Sequence, residues 1–182
     1  MSGPGIDPDR LAIAVHGGAF AIPPDEREAH RLGCRRALER GWQVLLAGGS
    51  SLDAVEQAVR VLEDDGTFDA GRGSFLDEDG NVSLDAGIMD GRTLATGSVV
   101  AAIGVPNAVT LARRVLESPH AVIVGPGARR FAEAHGVAVC EPEEMVGGSR
   151  WRGVRTDRAT RRVPRWRGAA ASGGVELRGR VH

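Results

Sequence analysis

A glycine-rich loop within residues 62–91 constrains the fold of this 182-residue chain more than any other stretch. Residues 68–74 read Phe-Asp-Ala-Gly-Arg-Gly-Ser, and the two glycines allow the backbone to turn sharply or to approach a neighbouring group closely. Asp79-Gly80 suits the left-handed dihedrals of a two-residue hairpin turn. We therefore predict a helix end, a glycine loop and a hairpin, in that order.

The residues that flank the turn predict three strands, over 75–76, 82–89 and 93–103. One face of the second strand is consistently apolar and consists of Val82, Leu84, Ala86 and Ile88. Asp90-Gly91 predicts the turn between the second and third strands. Asp85 and Asp90 could pass for the paired carboxylates of acid–base catalysis, but we expect strand geometry to place them on opposite faces.

Two amphipathic helices are predicted before the loop. The first starts at Pro23-Pro24-Asp25 and has acidic residues in its first turn, where the helix dipole favours them. Gly33 and Gly41 are expected to be its weak points. Its predicted buried side consists of Leu32, Ala37, Leu38, Val44 and Leu45. Residues 50–53 predict the cap of the second helix, which leads into the loop.

Further elements complete the predicted fold. A buried strand over 11–15 ends at His16-Gly17-Gly18, where we expect His16 to have a structural role. After the hairpin, Asn107 is predicted to cap a helix, which is followed by a strand over 121–124 and a helix over 128–135. This order predicts an α/β (α+β) layered fold with a mostly antiparallel sheet.

Two other motifs are weak candidates for sites. Gly125-Pro126-Gly127 precedes a helix and could bind phosphate through backbone amides. However, Arg130 stands where the third glycine of a dinucleotide-binding motif would be, and Pro126 lacks a donor. Cys34 and Cys140 are too few for a disulfide framework or a metal cluster, so we expect two buried thiols.

Charge is distributed unevenly along the chain. Residues 150–182 hold ten of the 23 basic residues and two of the 24 acidic ones, which gives +8 there and −9 in residues 1–149. Every basic residue is arginine, and such a segment could bind nucleic acid. Residues 1–10, a predicted flexible N-terminus, lack an apolar run long enough for a signal peptide or a membrane span. We therefore expect a cytoplasmic protein without membrane contact.

Several short motifs occur in a characteristic order between residues 11 and 146. They include Val15-His-Gly-Gly-Ala19, Ser51-Leu-Asp-Ala-Val-Glu56, the loop at 68–74, Leu84-Asp-Ala-Gly-Ile-Met-Asp-Gly91, Gly97-Ser-Val99 and Leu111-Ala-Arg-Arg-Val-Leu-Glu117. In this order they resemble the plant-type L-asparaginase and isoaspartyl peptidase family, whose members are N-terminal-nucleophile hydrolases with an αββα sandwich. The resemblance implies an incomplete form of that fold, because residues 11–146 match the α-subunit part of a precursor.

The resemblance implies a hydrolase that is built from two parts. In the family, the precursor cleaves itself before a threonine, whose freed amine acts as the base for its own hydroxyl. That threonine attacks the side-chain amide of L-asparagine or the isopeptide carbonyl of a β-aspartyl dipeptide, and water then releases L-aspartate. The nucleophile belongs to the β-subunit and has no matching position here, so no catalytic residue is assigned. We expect the chain to be inactive without that β-subunit, and the complete enzyme to be an oligomer of α/β units.

The resemblance also implies a structural sodium ion, and no other cofactor. In the family, main-chain carbonyls of the glycine loop surround the ion, and oxygen ligands suit a hard cation. The matching residues are Leu62, Glu63, Asp65, Phe68, Ala70 and Arg72. Asp69 matches a position near the active site that is often asparagine in the family. The alternative is an ordered glycine loop that holds no ion.

The chain departs from the family pattern after Met145. Members continue into a motif of the form Asp-Thr-Val-Gly-Ala-Val, whereas the Arg-rich tail at 147–182 has none, and neither Thr156 nor Thr160 is followed by an apolar residue and glycine. Our hypothesis is that a frameshift replaced the catalytic half, because codons chosen for 159–167 can be read in another frame as Asp-Thr-Ala-Gly. The alternatives are a non-catalytic fragment with exposed strand edges and an interaction protein that uses the tail. Resequencing the gene tests the frameshift.

Overall fold

The computed structural model describes residues 11–19, 21–77 and 79–145 as four helices, three strands and two short 3₁₀ turns. Two helices come first and a three-stranded sheet follows, with the last two helices placed after its second and third strands. In chain order the helices and strands are α1 (Arg27–Leu46), α2 (Ser51–Asp64), β1 (Ser83–Met89), β2 (Thr96–Ile103), α3 (Ala108–Leu116), β3 (Val122–Val124) and α4 (Pro126–Ala134). The 3₁₀ turns cover Gly71–Gly73 and Pro142–Met145. The mixed α and β content confirms the coarse fold class that the sequence predicts.

The sheet has the order β1-β2-β3, with an antiparallel β1–β2 pair and a parallel β2–β3 pair. The predicted hairpin through Asp90-Gly91 is confirmed, because the amide of Leu94 donates to the carbonyl of Asp90 at the turn. A helix connects β2 to β3, and a crossover of this kind joins parallel strands. The prediction of a mostly antiparallel sheet is therefore correct for only one of its two strand pairs.

The predicted strand over 75–76 is wrong. Asp77 and its neighbours form a tight turn instead, in which the amide of Gly80 donates to the carbonyl of Asp77 at 3.0 Å. The Asp77 carboxylate also accepts from the amide of Asn81 at 2.8 Å. The turn is therefore closed by bonds among its own residues, and residues 75–76 pair with no strand of the described sheet.

The predicted strand over 11–15 has no ladder partner among the described residues. Exposure still alternates along this segment with a period of two residues. Leu11, Ile13 and Val15 are half-buried, and Ala12 and Ala14 are exposed. An extended segment becomes a strand only when a neighbour pairs with its amides and carbonyls. Within the described part of the chain, no second strand lies beside it.

The buried side of α1 agrees with the prediction only in part. Ala37 and Leu45 are buried as predicted, whereas Leu32 and Leu38 are each 38% exposed. The other residues of the inward face are His30, Gly33 and Gly41. A Cβ atom at Gly41 would lie 3.1 Å from the carbonyl oxygen of Ala54 on α2, so the predicted weak point is a site of close helix contact. Small residues permit this approach, and the larger leucines consequently lie outside it.

The cap of α2 is as predicted. The Ser50 hydroxyl accepts from the amide of Asp53, and the Asp53 carboxylate accepts from the amide of Ser50, both at 3.1 Å. The two bonds form a reciprocal capping box. This cap fixes where α2 begins, and α2 then leads directly into the glycine loop.

Two apolar clusters hold the described residues together. The larger lies between one face of the sheet and the helices α3 and α4, and includes Leu84, Val99 and Leu111. The smaller consists of Ala37, Leu62 and Phe68, between α1, α2 and the loop. The opposite face of β2 and β3 exposes the side chains of Val100, Val122 and Val124. The sheet is thus covered by helices on one face only within the described residues.

Candidate functional site

A cleft of about 530 Å³ lies between the glycine loop and strand β1. It is formed by α2, by the residues that follow α2, by β1 and by the start of α3. Its lining residues are Val59, Glu63, Asp69, Ala70, Gly71, Ser74, Phe75, Leu76, Asp77, Ser83, Leu84, Asp85, Ala86, Gly87 and Val109. Four of these side chains are carboxylic acids and none is an arginine, so the walls of the cleft are acidic.

Asp69, the residue that the resemblance assigns near an active site, lines this cleft. Its Oδ1 atom accepts a hydrogen bond from the amide of Phe75 at 3.1 Å. The bond closes the loop over six residues and holds Asp69 at the wall of the cleft. An asparagine at this position could accept the same bond through its amide oxygen. The structure therefore makes Asp69 part of the cleft and also an anchor of the loop.

Asp85 and Asp90 do not form a carboxylate pair. Asp85 lines the cleft, and its Oδ1 accepts from the amide of Ala101 on β2 at 2.8 Å. Asp90 belongs to the hairpin turn, where its carboxylate accepts from the amide of Arg92 and the hydroxyl of Thr93, both at 2.9 Å. Asp90 thus satisfies local donors of its turn, as turn chemistry predicts, whereas Asp85 accepts from a residue of the neighbouring strand.

The hydrogen bond accepted by Asp85 lies at a bulge between strands β1 and β2. The register between β1 and β2 shifts between Leu84 and Ala86, so two residues of β2 face Asp85. One of them, Ala101, has a φ of 52°, in the left-handed region that residues other than glycine seldom adopt. The extra residue of a bulge leaves the ladder, and here the carboxylate accepts its amide. Sequence alternation alone did not reveal this role for Asp85.

Glu63 is a buried acid whose side chain the sequence analysis overlooked. It is 4% exposed, and its carboxylate accepts from the amide of Val109 at 2.9 Å and from the side-chain amide of Asn107 at 3.3 Å. Burial raises the pKa of Glu63 to about 7, and the hydrogen bond from Val109 opposes that rise. The carboxyl group of α2 thereby caps the N-terminus of α3.

The predicted capping role of Asn107 is consequently wrong. Asn107 occupies the N-cap position of α3, but its side chain makes no bond to the helix amides. Instead it donates to the carboxylates of Glu63 and Asp64 at the end of α2. A carboxylate from a distant helix has replaced the local cap, which satisfies the same backbone donors.

The residues matched to a sodium loop lie at the end of α2 and in the segment that follows it. They are Leu62, Glu63, Asp65, Phe68, Ala70 and Arg72. A Cβ atom at Gly71 would overlap the carbonyl oxygen of Glu63, and one at Gly73 would overlap that of Phe68. The two buried glycines therefore let carbonyl oxygens approach the inside of the loop. A main-chain site of this kind needs no cluster of side-chain ligands, and the described residues contain no such cluster.

The histidine and the two cysteines that the sequence analysis considered are not part of the cleft lining. The Nδ1 atom of His16 accepts from the amide of Gly18 at 3.1 Å, which fits the structural role expected at this turn. Cys34 and Cys140 are both half-buried free thiols, so they are less buried than predicted. Burial raises the pKa of the Cys140 thiol above its usual value.

The comparison with known families covers most of the chain. A family model described as asparaginase matches residues 9–175. The chain belongs to this asparaginase family. The motifs between residues 11 and 146, and Asp69 beside the cleft, lie within the matched range. The division at residue 146 into an α-subunit-like part and a tail stays a prediction.

The curated relatives that match this chain include isoaspartyl peptidase/L-asparaginases and plant-type L-asparaginases. The chain is 45% identical over 138 residues to the isoaspartyl peptidase/L-asparaginase of Mus musculus, covering 75% of this chain and 42% of the relative. It is 42% identical over 159 residues to the plant-type L-asparaginase of Pyrococcus abyssi, covering 86% of this chain and 52% of the relative. The chain thus spans about half the length of the curated relatives that it matches.

Some predictions for this family member fall outside the described residues. They are the flexible N-terminus at 1–10, the Arg-rich tail at 147–182 and the frameshift hypothesis for that tail. For the described residues, none of the helices has the length and apolar character needed to cross a membrane.

Proposed function

We propose that this chain is part of an amidohydrolase that releases L-aspartate from L-asparagine or from β-aspartyl dipeptides. The observation that carries the proposal is that the residues matched by the asparaginase family model include those that form the cleft. The glycine loop lies within residues 9–175, which that family model matches, and it forms one wall of that cleft with Asp69 among the lining residues. The proposed reaction is acyl transfer to a threonine hydroxyl, followed by hydrolysis of the acyl-enzyme.

In this proposal, the described residues build a support for the reaction, and a second part supplies the nucleophile. The match to about half of each relative supports this division. Two features of the fold are consistent with further strands: the extended residues 11–15 lack a ladder partner among the described residues, and β1 lies at an edge of the sheet. Strands from a β-subunit would pair there and bring the N-terminal threonine to the cleft.

In this proposal, the acidic wall of the cleft would attract the α-amino group of the substrate. An α-amino group on the substrate is cationic at neutral pH. Carboxylates such as Asp69 and Asp85 would favour such a group electrostatically in the partly enclosed cleft. The complementary part would then have to supply the cationic partner for the substrate's α-carboxylate, because no arginine lines the described cleft.

A sodium ion held by the loop is a further part of the proposal. The close approach of carbonyl oxygens to Gly71 and Gly73 supports it, since a side chain at either glycine would collide with these oxygens and displace them. Carbonyls of Leu62, Glu63, Asp65, Phe68, Ala70 and Arg72 would hold the ion. Its chemistry would be structural: it would fix the loop that carries Asp69, without taking part in bond making or breaking.

Complementation between two chains tests the proposed hydrolase. The full 182-residue chain would be expressed alone and together with the second half of the Pyrococcus abyssi relative, beginning at its nucleophile threonine. Ammonia release from L-asparagine and aspartate release from a β-aspartyl dipeptide would be measured. We expect activity only from the pair, and loss of that activity when the threonine is replaced by alanine.

Two results would count against the proposal. Hydrolysis by the chain alone would refute the assignment of the nucleophile to a second part. A stable complex of the two parts that hydrolyses neither substrate would refute the proposed activity. Complex formation would be checked by size-exclusion chromatography, so that failed assembly is recognised and the partner half of another relative is used.

A further inference from the structure

An ion pair joins helix α1 to Asp65, the first residue after α2, which leads into the glycine loop. Nη2 of Arg36 donates to Oδ2 of Asp65, across 29 positions of sequence. The other carboxylate oxygen of Asp65, Oδ1, accepts from the amide of Thr67 at 3.0 Å. The side chain of Asp65 is 16% exposed, whereas that of Arg36 is 55% exposed. Arg36 is thus a surface arginine that holds a mostly buried carboxylate at the start of the loop.

The other side chains of the loop also have anchors away from its centre. The ring of Phe68 is 2% exposed and lies against Gly17 and Gly33, where an added Cβ would come within 2.8 Å of it. Asp69 accepts from the amide of Phe75, and Arg72 donates to the carbonyl of Glu144. These contacts engage the side chains, and the main-chain carbonyls remain as oxygen ligands for a cation. The carbonyls of Asp65 and Ala70 also accept the amides of Phe68 and Gly73, each at 3.2 Å, and a carbonyl oxygen has a second lone pair.

We propose that Arg36 is a positioning residue that sets the affinity of the loop for an alkali cation. This inference rests on the sodium site of the proposed function. Arg36 acts through Asp65, whose own carbonyl belongs to the proposed ligand set and whose carboxylate fixes the turn at Thr67. Holding that residue in place prepares the carbonyls of the loop for the cation before it binds. Partners of this kind, one step away from the ligands, typically change metal affinity by about 10- to 100-fold.

Removing Arg36 would have two opposite effects, and the structure indicates which is larger. Loss of the anchor would weaken cation binding. Loss of the guanidinium charge would strengthen it, because the carboxylate of Asp65 would then attract the cation. The charge effect is screened, since Arg36 is more than half exposed to water. The effect on loop geometry should therefore dominate, and Arg36→Ala should bind sodium about tenfold more weakly than the unchanged protein.

The test compares neighbouring arginines of α1 in the full chain. Arg35 is the matched control, because it is exposed and its Nε donates to Glu39 within the same helix at 2.8 Å. Sodium binding would be measured by ²³Na relaxation, with thermal unfolding in sodium or choline chloride at equal ionic strength as a second readout. We expect weaker binding for Arg36→Ala, unchanged binding for Arg35→Ala and partial recovery for Arg36→Lys, which keeps one donor and the charge.

The outcomes separate the inference from the site on which it rests. If the unchanged protein does not bind sodium, the proposed sodium site fails and the inference fails with it. If the unchanged protein binds sodium and Arg36→Ala binds equally well, only the role of Arg36 is overturned. Tighter binding by Arg36→Ala would also overturn it, and would show that charge alone governs the loop. A lower unfolding temperature in choline with an unchanged sodium affinity would assign Arg36 to stability only.

Discussion

The carboxylate of Glu63 at the end of α2 caps α3 by accepting the backbone amide of Val109 at 2.9 Å. It is an unusual position for an acid, because the side chain is 96% buried and also borders the cleft. The bond couples the two helices that flank the cleft, and it does so through a group that exchanges a proton near neutral pH.

Replacing Glu63 should change both stability and its dependence on pH. Burial raises the pKa of Glu63 from 4.5 to about 7. Between these pH values the folded protein keeps the proton of Glu63 and the unfolded chain releases it. The stabilisation that Glu63 gives to the folded state is therefore complete below pH 4.5 and is lost as the pH rises to 7. Glu63→Gln keeps an acceptor for Val109 and should reduce this loss, by up to about 3 kcal/mol. Denaturant unfolding at several pH values, with choline as the only salt cation, measures the effect.

Glu63→Ala is the complementary variant. Relative to Glu63→Gln, it leaves the amide of Val109 buried without a side-chain acceptor, which should cost about a further 1–3 kcal/mol at any pH, because neither variant titrates at this position. A Glu63→Gln protein with the same pH profile as the unchanged protein would show that another group causes the dependence. The Val109 amide should also exchange its hydrogen faster in Glu63→Ala.

Gly33→Ala should destabilise the protein despite improving helix propensity. An added Cβ would lie 2.6 Å from Cζ of Phe68 and 3.0 Å from Oδ2 of Asp65. Overpacking of this kind costs about 1–3 kcal/mol, whereas glycine to alanine in a helix gains about 1 kcal/mol at most. We therefore expect a lower free energy of unfolding. Gly66→Ala is the control, because nothing lies within 4 Å of an added Cβ there.

A second substitution tests the cause of that effect. Phe68→Leu removes the ring that Gly33→Ala would strike, so the double variant should lose less stability than the sum of the two single variants. Strict additivity would show that the contact with Phe68 does not cause the loss.

Asp85→Ala should loosen the bulge in β2. The variant removes the acceptor for the amide of Ala101, and the lost bond is worth about 1 kcal/mol at this partly exposed position. Asp85→Asn keeps an acceptor oxygen and should be close to the unchanged protein. Hydrogen exchange at Ala101 measures the difference directly, and equal protection in both variants would contradict the proposed contact.

Ser50→Ala should remove the cap of α2. The Ser50 hydroxyl accepts from the amide of Asp53, and loss of an N-cap side chain costs about 1 kcal/mol. Ser51→Ala is a close control, since Ser51 is the exposed next residue and already lies within the helix. Thermal unfolding of both variants measures the effect. A lower unfolding temperature for Ser51→Ala than for Ser50→Ala would contradict the assignment of Ser50 as the N-cap of α2.

Features with a local cause could be predicted from the sequence. The capping box at Ser50 and Asp53 depends on a three-residue spacing, and the β1–β2 hairpin depends on Asp90-Gly91 and on alternation along β1. Asp69 was found through a motif, and the structure places it at the cleft. These features share one property, which is that the residues that determine them are neighbours in the chain.

Features that depend on distant contacts could not be predicted. The capping of α3 requires Glu63, 46 positions before Val109, so the polar residue nearest the helix start was given that role instead. The buried face of α1 is chosen by its fit to α2 and Phe68, which favours Gly33 and Gly41 over the larger leucines. Pairing of residues 11–15 depends on a neighbouring strand, and hydropathy cannot show whether one is present.

Two surfaces bear on how such a chain is produced: residues 11–15, which have no ladder partner in the described part of the chain, and the exposed valines of β2 and β3. Extended backbone with free donors and acceptors, together with an apolar sheet face, is a template on which other chains can assemble. In the proposed two-part enzyme, strands of the second part would cover these surfaces. Recombinant yield should accordingly rise when both proposed parts are synthesised in the same cell, and fall when this chain accumulates first.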